Sequence, residues 1–108
     1  MNDDAMNDDA AHVEWWIATI GRTVVWARLR VLEAGTAEVF DSDGATLPFD
    51  SEDSARSALL DAEFVSFDGL DAEDAVARGF ELDELTPPVA VDDEALRPRM
   101  VQQLPPRG

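Results

Sequence analysis

The fold is decided by residues 13–49, which read VEWWIATIGRTVVWARLRVLEAGTAEVFDSDGATLPF. The stretch is rich in Val, Ile, Trp, Phe and Thr, and its alternation is typical of β-strands. Gly21-Arg22 fits a two-residue type II′ hairpin with glycine first. Residues 33–35 and 42–44 each place a glycine where a three-residue hairpin loop needs a left-handed conformation. The stretch therefore predicts four antiparallel strands.

These three turns also fix a strand register, and the register sorts the side chains onto two faces. Directly opposed residues of antiparallel strands share a face. One face is almost wholly apolar, and its members are Trp16, Ala18, Ile20, Val25, Ala27, Leu29, Val31, Ala37, Val39, Leu47 and Phe49. Because three independent turns give one continuous apolar face, we predict a four-stranded antiparallel meander with its core on that side.

The opposite face is mixed rather than polar, which is unusual for a sheet covered on one side only. Tryptophan and arginine are enriched at binding hot spots. The candidate partner-binding residues on this face, called the Trp/Arg face below, are Trp15, Trp26, Arg28, Arg30 and Phe40. Three alternatives remain for this face: residues 89–104 fold across it and bury it, a second copy of the chain covers it, or a different protein binds it.

Two short helices are expected after the strands. Acidic residues follow Phe49 and favour the start of a helix over about residues 51–62. Asp71 is a suitable cap for a second helix that continues to about Arg78, and Gly79 is suited to end it. The order predicts an α+β fold, a four-stranded antiparallel β-meander followed by two short helices packed on one sheet face.

The chain divides into three predicted parts. Residues 1–12 form a disordered acidic tail, because a polar pentapeptide that occurs twice offers nothing to bury. Residues 13–88 form a single α+β domain, which Pro87-Pro88 ends. Residues 89–108 contain further prolines and mixed charge, and they read as a C-terminal arm or tail.

Charge is distributed unevenly along the sequence. The chain has 24 acidic and 8 basic residues and a net charge of −16. Residues 1–9 carry −4 and residues 41–84 carry −12, whereas the other two parts of the chain are neutral. Such a surface serves solubility, or it attracts a basic partner. The densest acidic group supplies four further candidate partner-binding residues: Asp68, Asp71, Glu73 and Asp74.

Residues that carry common catalytic chemistry are scarce. The chain has no cysteine and no lysine, and its one histidine, His12, lies beside the predicted tail, where nothing orients it. Asp41-Ser42-Asp43-Gly44 resembles part of a calcium loop, but the first and twelfth loop positions lack the required ligands. We interpret it as a hairpin turn that the aspartates cap. We therefore expect no enzyme activity, no cofactor and no metal.

The favoured function is a small acidic non-enzymatic protein–protein interaction module or regulator that binds a protein partner or forms a homodimer. The alternative is a nucleic-acid-mimicking or toxin-neutralising inhibitor that binds a basic protein. Direct nucleic-acid binding is disfavoured because the sequence has no basic patch. No apolar run approaches the roughly 20 residues that span a membrane. The start of the chain does not resemble a signal peptide, so we expect a cytoplasmic protein.

Overall fold

A computed structural model describes residues 10–104, so residues 1–9 of the predicted acidic tail lie outside the described part of the chain, and residues 10–12 belong to the first strand. The fold is α+β, a sheet of antiparallel strands with a few short helices. The strands are β1 (Ala10–Ile20), β2 (Thr23–Leu32), β3 (Ala37–Phe40), β4 (Thr46–Phe49), β5 (Val65–Ser66) and β6 (Val101–Gln103). The helices are α1 (Glu52–Asp61), α2 (Ala72–Ala77) and α3 (Asp93–Leu96), with 3₁₀ turns at Phe67–Gly69, Leu82–Glu84 and Arg97–Arg99.

The first four strands lie side by side in chain order. The sheet runs β4-β3-β2-β1-β5, and β6 pairs with β2. Trp16 lies opposite Ala27 and Val39 lies opposite Leu47, which are pairs that the turn glycines predict. Gly21 and Gly44 have φ values of 61° and 86°, the left-handed conformation that glycine adopts at little cost. The meander is thus extended by two short strands that the sequence did not indicate.

Strand β6 completes an edge that β3 leaves open. β2 is ten residues long, but β3 pairs only with residues 28–31. β6 pairs with the other end of the same edge, residues 23–25. Next to it, the Trp26 N–H donates to the Met100 carbonyl at 2.8 Å. An unpaired strand edge invites aggregation, so residues 101–103 protect the part of the β2 edge that β3 does not cover.

The sheet is covered on both faces, and each face has its own hydrophobic cluster. Helix α1 covers the predicted core face, where the buried residues are Trp16, Ala27, Leu29, Ala37, Val39, Ala55 and Leu59. Helix α2 and later segments cover the other face, where the buried residues are Ile17, Val24, Trp26, Phe40, Ala75, Phe80, Leu85, Leu96, Met100 and Leu104. The prediction that both helices pack on one sheet face is therefore wrong.

The reason is the path of the chain between the two helices. Phe64 packs against the cluster under α1, whereas Val65 packs against the opposite cluster. Between them the chain passes around the outer edge of β1, where β5 pairs with Trp16 and Ile17. A two-residue strand thus carries the polypeptide from one face to the other and places α2 opposite α1.

The helices begin at side-chain caps. The Ser51 hydroxyl accepts the N–H of Ser54 at 3.1 Å, and an Asp71 carboxylate oxygen accepts the N–H of Asp74 at 2.9 Å. Asp71 is thus the cap that the sequence predicts. Among residues 10–104 the longest helix, α1, has ten residues, and no helix there is long and apolar enough to cross a membrane.

Candidate protein-binding surface

The Trp/Arg face is an interior surface in this structure. Trp26 is 0% exposed and Phe40 is also buried. Trp15 packs edge-on against Trp26 with 5.8 Å between ring centroids, and Phe67 packs against Trp26 at 5.0 Å. Trp26 is therefore the centre of an aromatic cluster rather than an exposed anchor for a partner.

The cover is the C-terminal arm, defined here as residues 89–104. Its side chains Leu96, Met100 and Leu104 are buried in the same cluster as Trp26. Of the three alternatives for the Trp/Arg face, the structure shows this one. A partner would reach Trp26 or Phe40 only if the arm left the sheet. The predicted domain of residues 13–88 also does not contain the whole of this cluster.

The two arginines of this face pair within the chain. Arg28 forms two hydrogen bonds to the Asp93 carboxylate, at 2.9 and 3.2 Å, and its guanidinium lies 5.1 Å from the centroid of the Phe40 ring. The hydrogen bond from Arg28 is the main cause that lowers the pKa of Asp93. Arg30 lies 3.8 Å from a carboxylate oxygen of Glu38. Arg28 therefore fastens the arm to β2 at the border of the buried cluster.

The four acidic candidates lie in a segment that the structure leaves open to solvent. The acidic segment, residues 61–84, contains nine acidic residues, all exposed, and a single basic residue, Arg78. The nine are Asp61, Glu63, Asp68, Asp71, Glu73, Asp74, Glu81, Asp83 and Glu84. Asp71 caps α2, Glu73 and Asp74 lie in its first turn, and Asp68 lies in the 3₁₀ turn before it. These four residues are exposed, whereas Trp26 and Phe40 are buried.

A groove that the sequence did not reveal borders this acidic segment. It lies between the end of β1 and the end of α1 and has a volume of about 380 Å³. Its lining residues are Ala18, Thr19, Ile20, Leu60, Ala62, Glu63, Phe64, Val65 and Arg78. Ile20 is 71% exposed and Leu60 is 57% exposed. Two large apolar side chains therefore face solvent beside the acidic surface.

Ile20 is exposed because α1 is shorter than the strand beneath it. A ten-residue helix is about 15 Å long, whereas an eleven-residue strand is about 36 Å long. The alternation pattern places Ile20 on the core face but says nothing about how far the helix extends. The position of Ile20 next to the Gly21 turn, at the far tip of a long hairpin, is the signal that could have indicated its exposure.

A buried carboxylate, Glu14, joins β1 to α1. It accepts a hydrogen bond from the Trp16 indole at 3.1 Å, contacts the His12 ring at 2.8 Å and pairs with Arg56. Arg56 also pairs with Glu52 on its own helix. His12 thus has a specific contact within the fold, although its side chain is half exposed. The arrangement is a structural network that fixes α1 on the sheet.

Residues 41–44, which resemble part of a calcium loop in sequence, form a hairpin turn. An oxygen of the Asp41 carboxylate accepts the N–H groups of Asp43 and Ala45 at 3.0 and 3.3 Å, the capping role that the sequence predicts. Within residues 10–104 no group of three histidine, aspartate or glutamate side chains is placed to hold a metal ion.

Comparison of the chain with protein-family models, curated proteins and solved structures finds no match.

Proposed function

We propose that this protein is a non-enzymatic interaction module that binds a basic surface of another protein. The observation that carries the proposal is the acidic segment, which contains nine exposed acidic residues and one arginine. Nucleic-acid-binding proteins and cationic toxins both present basic surfaces, so the mimicry and toxin-neutralising functions are narrower forms of the same proposal.

Much of the charge of the acidic segment is available to a partner because the chain uses other arginines elsewhere. The ion pairs of Arg28 and Arg56 engage carboxylates outside residues 61–84. Arg22 does reach the segment, where it donates to the Gly79 carbonyl, so one positive charge besides Arg78 lies at its edge. A surface of one sign raises the rate of association with an oppositely charged surface, and the effect decreases with added salt.

The proposal is tested with a defined basic probe. The probe is a dye-labelled peptide of about five helical turns that carries leucine on one face and arginine on the other. The first variant of the full chain combines Asp68→Asn, Glu73→Gln and Asp74→Asn, and it retains Asp71 because that residue caps α2. We expect about tenfold weaker binding, because three exposed ion pairs contribute about 0.5 kcal/mol each.

A matched control removes three charges from other surfaces. It combines Glu33→Gln, Asp43→Asn and Asp50→Asn, all exposed residues outside the acidic segment. We expect less than about a twofold change, since distant exposed charges are screened at physiological salt. Equal losses in the two variants would show that the peptide responds to total charge alone, and the proposal would then be wrong.

A further inference from the structure

We propose that the groove between the end of β1 and the end of α1 is where the basic partner docks an apolar side chain, and that Glu63 selects a basic residue next to it. This inference rests on the function proposed above. It goes further by naming the contact point, the chemistry of the occupant and the residue that determines specificity.

The groove has the composition of a docking site for one apolar side chain. Ala18, Phe64 and Val65 contribute apolar surface to its lining, and Ile20 and Leu60 add two largely exposed side chains. Single exposed apolar residues are ordinary on protein surfaces. Here Ile20 and Leu60 line the same groove. Glu63 of the acidic segment also lines it, so an occupant meets a negative charge next to the apolar side chains.

Glu63 occupies a backbone position that normally takes glycine. Its φ is 70°, and it is the one non-glycine residue among residues 10–104 with a positive φ. Its N–H donates to the Leu60 carbonyl and the Phe64 N–H donates to the Leu59 carbonyl, the paired bonds of a Schellman motif. This conformation costs a glutamate more than a glycine, and residues held in such conformations cluster at functional sites.

The strain therefore has a functional explanation in the carboxylate. Glu63 lines the groove and its side chain is exposed, so its charge is presented to whatever occupies the groove. The other left-handed positions that the structure describes, such as Gly35 and Gly79, all use glycine. Glu63 departs from that use at the one left-handed position that lines this groove.

Charge decides which occupant the groove takes. The acidic segment that contributes Glu63 to the lining has nine acids and one base, and the whole chain has a net charge of −16. A second copy would bring the same negative charge to this border, whereas a basic segment with an apolar residue is attracted to it. Arg78 also lines the groove, so its positive charge opposes a basic occupant. Removing Arg78 should consequently strengthen binding.

The test measures binding and stability in the same variants, with the leucine–arginine peptide as the probe. Glu63→Gly should raise the Tm by about 3 °C, because it relieves the left-handed strain. The same change should weaken peptide binding by about threefold, the contribution of one exposed ion pair. Glu63→Gln should weaken binding equally without raising the Tm, and Arg78→Gln should strengthen it.

Two matched controls separate this groove from other exposed surfaces. Glu33→Gln removes an exposed carboxylate that lies outside both the groove and the acidic segment, and it should leave peptide binding nearly unchanged. Val76→Ala shortens an exposed apolar residue of α2, for comparison with Leu60→Ala in the groove. We expect about fivefold weaker binding for Leu60→Ala and little change for Val76→Ala, because only Leu60 lines the groove. Peptide-induced amide shifts should appear at residues 18–20 and 60–65.

The outcomes distinguish this inference from the proposed function. If the triple variant of residues 68, 73 and 74 loses binding while Glu63→Gln and Leu60→Ala match their controls, the groove is not the docking site and the proposed function stands. If the triple variant and its control behave alike, the proposed function itself fails. A dimer in sedimentation that Leu60→Ala dissociates would show a second copy in the groove, which overturns the basic occupant.

Discussion

The two faces of the sheet differ from what their polarity suggests. The Trp/Arg face carries arginines and looks like an exposed surface, yet α2 and the C-terminal arm bury its aromatic residues. The other face is apolar throughout in the strand pattern, yet α1 leaves Ile20 at its end in solvent. Burial here depends on the length and path of the covering segments. The polarity of a strand face therefore indicates which side chains lie together, and the covering segments determine which of them become a core.

The first test of this comparison concerns the arm and has the largest expected effect. Met100→Ala should lower the free energy of unfolding by about 3 kcal/mol, because truncation of a fully buried side chain loses apolar contact and leaves a cavity. Met100 is 0% exposed in the cluster around Trp26. Urea unfolding followed by tryptophan fluorescence measures the change.

The neighbouring residue is the control for Met100. Val101 is part of β6, but its side chain is partly open to solvent, so Val101→Ala should cost much less. Losses of similar size in the two variants would mean that the arm contributes strand pairing but not core packing. A loss below about 1 kcal/mol for Met100→Ala, the size of an ordinary surface change, would contradict the buried position of the arm.

The strand register could be predicted from the sequence because short-range chemistry fixes it. Gly21 and Gly44 each permit a left-handed turn of known length, and a turn of known length sets the pairs on both sides. The cap of α2 could be predicted for the same reason, since Asp71 bonds to a backbone group three residues later. Features that depend only on residues close together in the chain could therefore be predicted from the sequence.

The side on which α2 packs could not be predicted, because it depends on β5. Two residues, Val65 and Ser66, pair with β1 and take the chain around the sheet edge. A pair that short has no periodicity to recognise. The arm offered a weak signal in the equal spacing of Leu96, Met100 and Leu104, which the prolines and charges around them obscured.

The candidate protein-binding surface could be predicted from the sequence only in part. The exposure of Asp68 and its acidic neighbours follows from composition, because few positive charges are near in sequence. The groove depends on where α1 ends relative to β1. The conformation of Glu63 depends on how the helix terminates, and no local rule favours a glutamate there.

The second test concerns the border between the arm and β2, and its expected effect is smaller. Arg28 lowers the pKa of Asp93 from the usual value of 3.8, so the folded state binds this proton less readily than the unfolded state. The resulting stability is present above the usual pKa and is lost as the pH falls through the lowered one. Asp93→Asn should cost at most about 1 kcal/mol at neutral pH, because the carboxylate is half exposed and solvent screens the pair.

The measurement compares the unfolding of Asp93→Asn with that of the unchanged chain from neutral pH to about pH 3, below the usual aspartate pKa. The difference between the two should begin to shrink as the pH falls below the usual value of 3.8, since protonation of Asp93 then progressively removes the charge that pairs with Arg28. Glu94→Gln is the control, because Glu94 is exposed and adjacent in α3. A difference that stays constant with pH would show that the carboxylate charge does not fasten the arm.

The third test concerns the uncovered end of the other face and has the smallest expected effect. Ile20→Thr keeps the β-branched shape that suits a strand and removes apolar surface that is already in solvent. It should change the free energy of unfolding by less than about 0.5 kcal/mol. Leu29→Ala on the same predicted face should cost about 3 kcal/mol, because Leu29 is fully buried under α1. Equal costs at the two positions would mean that a segment covers Ile20 in solution, which would remove the groove and the docking site built on it.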